Sequence, residues 1–273
     1  MKIGIVNASS RLDPARAEAV QAWFATHIPD GSVSVVFHPA SFGKHGHFGG
    51  DDASRASAFV EFANDPRLDA VWFARGGYGA CRIAEAVLPR LTGVARKKRY
   101  LGYSDAGSLL AGLYKAGFPH VAHGPMASDA VRREETAWRA VNWLVSGDSA
   151  SLEPSLADDP RPAVAFNLSI LDALVGTYLE PDLGGHVLML EDVSEPLYRI
   201  DRMMFHLTAQ SSIRRVAGIR MGRVSAIVEN DPEFGMTAEE IARYWCARSG
   251  IPWLGTADIG HDGGNKIVPF GPR

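Results

Sequence analysis

Cysteine is scarce in this chain: two residues in 273, Cys81 and Cys246, far apart in sequence. That excludes a disulfide framework and any cysteine-rich metal spacing, and it suits a reducing compartment. No apolar run reaches membrane-spanning length, and the brief one at the start, Met1 to Val6, is too short for the core of a signal peptide. A cytoplasmic setting with no membrane partner is expected. Positive charge is not in excess either. With 28 Lys and Arg against 31 Asp and Glu, the formal net charge is -3, which leaves no basic footprint for nucleic acid. The one basic run, Arg96 to Arg99, reads as a solvated lead-in to a strand. Neither G-x-G-x-x-G nor the Lys-Ser/Thr end of a P-loop occurs, so a nucleotide cradle and cofactor-dependent redox chemistry are disfavoured.

What is there is an ordinary globular composition, 46% hydrophobic and 22% charged, in which short apolar runs alternate with helical periodicity. Lys2 to Val6 predicts a first buried strand. Asp13 and Pro14 then open a helix with Ala17, Val20, Trp23, Phe24 and Ile28 on one face. Strands are expected at 32–37, 69–74, 99–102 and 118–122, with helices over 52–63, 81–88, 108–115 and 134–145. The stretch 146–162, rich in Ser, Asp and Pro, lacks periodicity and reads as a linker. The pattern predicts an α/β chain with domains over 1–148 and 163–273, joined by 149–162. In the second part, strands are expected at 163–166, 185–190, 216–221 and 225–228, and helices at 170–175, 198–207 and 238–249. The loop 42–51 holds His45 and His47, a His-x-His pair without a third ligand at usual spacing, so an exposed loop rather than a metal site is expected.

Ser104 sits between an apolar run ending at Gly102 and the helix from Ser108, in a G-x-S-x-A turn. Such a turn can hold a serine hydroxyl outward with the next amide as an oxyanion donor; equally, a serine there can cap the helix. The glycine-rich turn Arg75-Gly76-Gly77-Tyr78-Gly79 also follows a strand, where open α/β sheets gather their ligands. A serine nucleophile needs a base held in one tautomer by a third group. His261, on a glycine-rich loop, is the best base by position, with His123 the runner-up and His206 packed or solvated. Glu191, at the end of an apolar strand, is the candidate orienting carboxylate, with Asp192 and Glu195 as neighbours in competition. From the residues alone, a solvated carboxylate and a loop histidine stay open as the alternative.

Taken in order, Arg75-Gly76-Gly77-Tyr78-Gly79, Gly102-Tyr103-Ser104-Asp105, His123-Gly124-Pro125-Met126, Asn167-Leu168-Ser169, Leu190-Glu191-Asp192 with Tyr198 to Arg202, and Gly260-His261 resemble the LD-carboxypeptidases. These serine peptidases include the muramoyl-tetrapeptide carboxypeptidases and the microcin C self-immunity peptidase. The resemblance implies a Rossmann-like N-terminal parallel-sheet domain, a smaller C-terminal α/β domain, and an active site at their junction. It implies Ser104 as nucleophile, His261 as base, Glu191 as its orienting acid, and the amides of Asp105 and Gly77 as the oxyanion hole. It also implies a homodimer with no metal and no cofactor, acting on murein peptide at the amide before a terminal D-alanine. Arg75, Tyr78 and Asn167 are the candidate substrate-binding residues; Arg75 could take a terminal carboxylate or brace its turn. Ala165 and Phe166 stand where the family usually carries Gly-Gly, and are expected to narrow the site or change its packing. The competing readings are a microcin-type peptidase acting on another conjugate and a two-domain protein that binds a small ligand without turnover.

Overall fold

A computed structural model describes residues 1–272. The first sheet is built from β1 (Lys2–Val6), β2 (Ser34–Phe37), β3 (Ala70–Phe73), β4 (Arg99–Gly102) and β5 (Val121–His123), all parallel. Between them run α1 (Pro14–His27), α2 (Asp52–Asn64), α3 (Ala80–Val87) and α4 (Gly107–Lys115), followed by the short α5 (Ala127–Ala130) and α6 (Glu134–Ser146). The second sheet, parallel throughout, takes β6 (Ala163–Asn167), β7 (Val187–Val193), β8 (Gly218–Ser225) and β9 (Trp253–Thr256), with α7 (Leu168–Leu174), α8 (Leu197–Ala209) and α9 (Ala238–Ser249). The last strand, β10 (Val268–Pro269), crosses back and pairs antiparallel with β5.

The spatial order of the first sheet is β10-β5-β4-β3-β1-β2. Chain order therefore reverses between β1 and β3, and the crevice at that reversal, at the carboxyl ends of the strands, is where doubly wound folds bind ligands. Parallel strands covered on both faces need unbroken apolar runs. Ala70, Val71, Trp72 and Phe73 form such a run, and all four are fully buried. Helix α1 starts as its sequence dictates: the Asp13 side chain accepts the Ala15 N–H at 3.1 Å, Pro14 occupies the first turn, and Ala17, Val20, Trp23 and Phe24 face the sheet. Ile28 falls just beyond the last turn, as the helix ends at His27.

Several boundaries differ from the sequence expectation. A single strand covers 218–225, and 226–228 lie outside it, where Ala226 takes a left-handed φ of 47°. Residues 149–156 form two short 3-10 turns instead of free chain. Glu153 caps the second turn and also accepts the Asp258 N–H at 3.1 Å, so this segment is pinned to the second sheet.

Phe166 does not narrow a binding site. It is 1% exposed, packs on Phe270 with ring centroids 5.1 Å apart, and lies against Gly107 at the start of α4. It belongs to the same apolar cluster as Phe73, Tyr100 and Leu109 of the first sheet and Leu188 and Leu190 of the second. Ala165, one residue earlier on the strand, points to the opposite face and packs with Val187 and Met189. The phenyl ring is thus mortar between the two sheets. A buried ring of this size typically contributes about 3–5 kcal/mol relative to alanine.

Candidate active site

Three loops meet at the carboxyl ends of β1, β3 and β4. Asp105, 1% exposed, joins them: its carboxylate accepts from the Ser9 hydroxyl and, at 2.8 Å, from the Ala80 N–H. Burial raises the Asp105 pKa, against the pull of those hydrogen bonds. The fully buried Arg55 adds a second tie, donating to the carbonyls of Ala8 and Gly79, the latter at 3.0 Å. Both are positioning residues, and Arg55 was not visible to sequence reasoning. Nothing about an arginine inside a helix pattern says that its head will gather carbonyls from two distant loops.

Ser104 follows directly from this bracing. Its φ is 55°, a left-handed conformation that a non-glycine residue rarely holds without surrounding support. The hydroxyl caps no helix: the cap position of α4 is Ala106, with no side-chain cap bond there or at the preceding turn. Instead Ser104 lies over Gly76, where an added Cβ would come within 2.9 Å of Oγ. Gly77 has φ +121°, and an added Cβ would come within 2.1 Å of Ser10 Oγ. Among the described residues, the backbone N–H groups of Gly77 and Asp105 have no hydrogen-bond acceptor.

The histidine–carboxylate pair comes from β7 and the loop after β9. Glu191 lies within β7 rather than at its end and is fully buried, with Gly222 of β8 leaving room for its Cβ. Its Oε2 meets His261 Nδ1 at 2.5 Å. The His261 ring is 4.6 Å, centroid to centroid, from the ring of Tyr103, the residue before Ser104. Burial opposes the imidazolium, but the adjoining Glu191 carboxylate outweighs it and the His261 pKa is raised above its ordinary 6.5. No hydrogen bond joins Ser104 to His261 among the described residues; such contacts are often long without substrate and close when it binds.

The loop carrying His261 is clamped from both sides. Thr136 Oγ1 donates to the Gly263 carbonyl at 2.7 Å, and Arg139 donates to the Asn265 carbonyl at 2.8 Å, both from α6 of the first sheet. From β8, Arg223 meets Asp258 and Asp262 at 2.5 Å each. A cavity of about 240 Å3 opens beside the ring, lined among others by Tyr103, Arg132, Arg133 and Thr136.

The competing residues are disposed of by their partners. His123 is 1% exposed, and burial pushes its pKa down to about 4, so it is a neutral packed ring rather than a base. His206 pairs with Asp172 at 2.7 Å on the far helix. Glu195 pairs with Arg199 at 2.9 Å. Asp192 accepts from Asn167 Nδ2 at 3.0 Å and from the Ser169 N–H at 2.9 Å, while burial pushes its pKa up to about 6.

That last network also revises Asn167. It is buried, caps α7 through the Ile170 N–H at 3.2 Å, and holds Asp192, so its amide serves as an internal brace. Arg75 braces its own turn, donating to the carbonyls of Gly76 at 3.1 Å and Arg11 at 3.0 Å. Tyr78 is 48% exposed, with its ring 6.0 Å from Phe48. The tip of the 42–51 loop, including His45 and His47, is exposed, and among the described residues no group of three metal-ligating side chains exists.

Base chemistry fixes the pH dependence. An imidazole serving as base must be neutral to accept a proton, so with His261 in that role kcat/KM should rise with pH through its raised pKa, with the limb above 6.5. The stability linkage has the opposite sign. The ion pair with Glu191 stabilises the fold fully below the unfolded histidine value, and that contribution is lost as pH rises through the folded pKa. A pH–rate profile whose limb falls below 6.5 would contradict the assignment of His261.

A serine on a strained strand-to-helix turn, with the residue before it packed on a histidine–carboxylate pair from the other part of the chain, has the form of an α/β peptidase site. The chain belongs to the LD-carboxypeptidase family, matching its N-terminal domain over residues 3–124 and its C-terminal domain over 162–273. A relative from Bacillus subtilis named "Probable murein peptide carboxypeptidase" is 26% identical over 99% of this chain and 87% of its own. The "Murein tetrapeptide carboxypeptidase" of Pseudomonas aeruginosa is 26% identical over 76% of this chain and 71% of its own. Among solved structures, the muramoyltetrapeptide carboxypeptidase of Oxalobacter formigenes has the same fold. Its TM-score is 0.81 at 20% identity, over 99% of this chain and 93% of that one.

Proposed function

We propose that this protein is a serine LD-carboxypeptidase that removes the terminal D-alanine from a murein tetrapeptide by a Ser104–His261–Glu191 triad. The observation that carries the reading is the 2.5 Å contact between buried Glu191 and His261, with the His261 ring against Tyr103, next to Ser104. Relatives named for murein peptides support the substrate class. The division at 149–162 puts the nucleophile in one domain and the acid–base pair in the other, so the site needs both. The same reading carries a cytoplasmic setting and a homodimer, the latter checked by the particle mass in solution.

Ser104 Oγ attacks the carbonyl carbon of the L-centre as His261 Nε2 takes the hydroxyl proton. Glu191 at Nδ1 holds the ring in the tautomer that leaves Nε2 free, and stabilises the imidazolium. The N–H groups of Gly77 and Asp105 receive the oxyanion. His261 then gives its proton to the leaving nitrogen, D-alanine departs, and water, deprotonated by the same ring, releases the shortened peptide from Ser104.

The test is incubation with L-Ala-D-Glu-diamino acid-D-Ala, following D-alanine by mass spectrometry beside Ser104→Ala. Release by the parent, and a loss of at least about 10³-fold in the variant with its fold intact, is the expected result. No D-alanine, with Ser104 still labelled by a serine-directed acylating probe, would move the substrate to another amide. No labelling at all would sink the serine mechanism.

A further inference from the structure

His261 must hand its proton to the leaving nitrogen, so the departing residue lies on the His261 side of Ser104. In an amino acid the free carboxylate is only two bonds from that nitrogen. Whatever reads the carboxylate must therefore stand within a few ångströms of the His261 ring. The cavity beside that ring is the place, and at about 240 Å3 it has room for roughly eight waters, ample for one small amino acid.

We propose that Arg132 and Arg133, in the segment between α5 and α6, form the receptor for the free carboxylate of the leaving residue. This rests on the triad reading above and deepens it. Both arginines line the cavity with His261. The Arg133 side chain makes no hydrogen bond or ion pair among the described residues, so its fork is available. Its stem lies on Gly263, two residues beyond the base: a Cβ there would come within 2.2 Å of Arg133 Cδ. The carboxylate reader and the proton shuttle are thereby held by one loop. Arg132 is only loosely engaged, 3.8 Å from Asp129.

Among the described residues the acids at the cavity leave Arg133 without an ion-pair partner, while Asp129 faces Arg132 at 3.8 Å. Asp262 has both oxygens on Arg223, at 2.5 and 2.9 Å, and Asp129 accepts from the Tyr103 hydroxyl at 3.0 Å. Two guanidinium forks lining one cavity suit a planar free carboxylate, which neither an amide nor a continuing chain offers. Arg75, the arginine that the sequence puts forward, is outside this cavity and engaged with two carbonyls.

The experiment compares the tetrapeptide ending in free D-alanine with the same peptide ending in D-alaninamide. The parent should prefer the acid. In Arg132→Ala/Arg133→Ala, kcat/KM on the acid should fall at least about tenfold, mainly through KM, since a charge-assisted bidentate contact is lost. The acid-to-amide ratio should collapse toward one, and Arg132→Lys/Arg133→Lys should recover part of it. Arg75→Ala should keep the ratio. A ratio that survives in the double alanine variant, or one that collapses with Arg75→Ala, overturns the proposal. The activity-independent arm titrates D-alanine and D-alaninamide onto the protein and follows the His261 ring signals by NMR. A shift with D-alanine alone, absent in the double variant, is expected even if the tetrapeptide is not the substrate. Equal shifts with both, or no difference between parent and variant, refute the receptor.

Discussion

Glutamine in place of Glu191 should lower kcat by about 10⁴-fold while the protein stays folded, by analogy with the loss when a triad carboxylate becomes an amide. Glu191 is fully buried, and its Oε2 faces His261 Nδ1 at 2.5 Å. An amide there presents either a donor to Nδ1, which enforces the wrong tautomer, or an oxygen without the charge that stabilises the imidazolium. Electrostatics adds a second signature. The carboxylate is what raises the His261 pKa against burial, so its removal leaves burial dominant and the ring less basic. The residual activity of Glu191→Gln should therefore show its pH limb shifted downward from that of the parent. Steady-state kinetics over pH, with circular dichroism on the same samples, checks both. A variant within tenfold of the parent would remove Glu191 from the triad.

Alanine in place of Gly77 should abolish most turnover by moving the amide proposed as an oxyanion donor. A Cβ at this position, with φ +121°, would stand 2.1 Å from Ser10 Oγ and 2.7 Å from Ser10 Cβ, so the turn must shift. Losing one oxyanion donor typically lowers kcat about 10²–10³-fold. The strained backbone should also lower stability by roughly 1–3 kcal/mol. The two effects separate in measurement: kcat falls while KM changes little, because the donor serves the transition state, and the melting temperature falls by a few degrees. Unchanged kcat in a folded Gly77→Ala protein would exclude this amide from the oxyanion hole. The sharper comparison is Gly76→Ala, whose Cβ meets Ser104 Oγ itself at 2.9 Å and so disturbs the nucleophile rather than the donor.

The chain's local signals were strong enough to define most of its architecture. Continuous apolar runs such as Ala70 to Phe73 mean strands buried on both faces, and Asp13-Pro14 starts a helix wherever it is placed, because the cap bond and the fixed proline φ are local properties. Glycine-rich turns after β3 and β4 and the lone serine between Gly102 and Gly107 likewise announced where a ligand site could form. The strand expected at 225–228 failed for the complementary reason. Apolar composition alone does not make a ladder, and β7, the partner that carries β8 to its end, stops at Val193, opposite Ser225.

Partner choice was decided only by the tertiary structure, because it depends on proximity that sequence spacing does not encode. Glu191 and His261 are 70 positions apart, and Thr136 reaches Gly263 across 127. The same distances separated His261 from His123. Both follow short apolar runs, but one is paired with a carboxylate beside a cavity, and the other is enclosed and held neutral. Asn167 is a ligand candidate by sequence, and only the fold shows its amide engaged with Asp192 and the Ile170 N–H. Phe166 looked like an obstruction until the crossing of β10 brought Phe270 to meet it in the core. The sequence by itself determined which elements form and which residues are chemically able to act. The packing of one sheet against the other decided which of those residues meet, since burial and charge act through space and not along the chain.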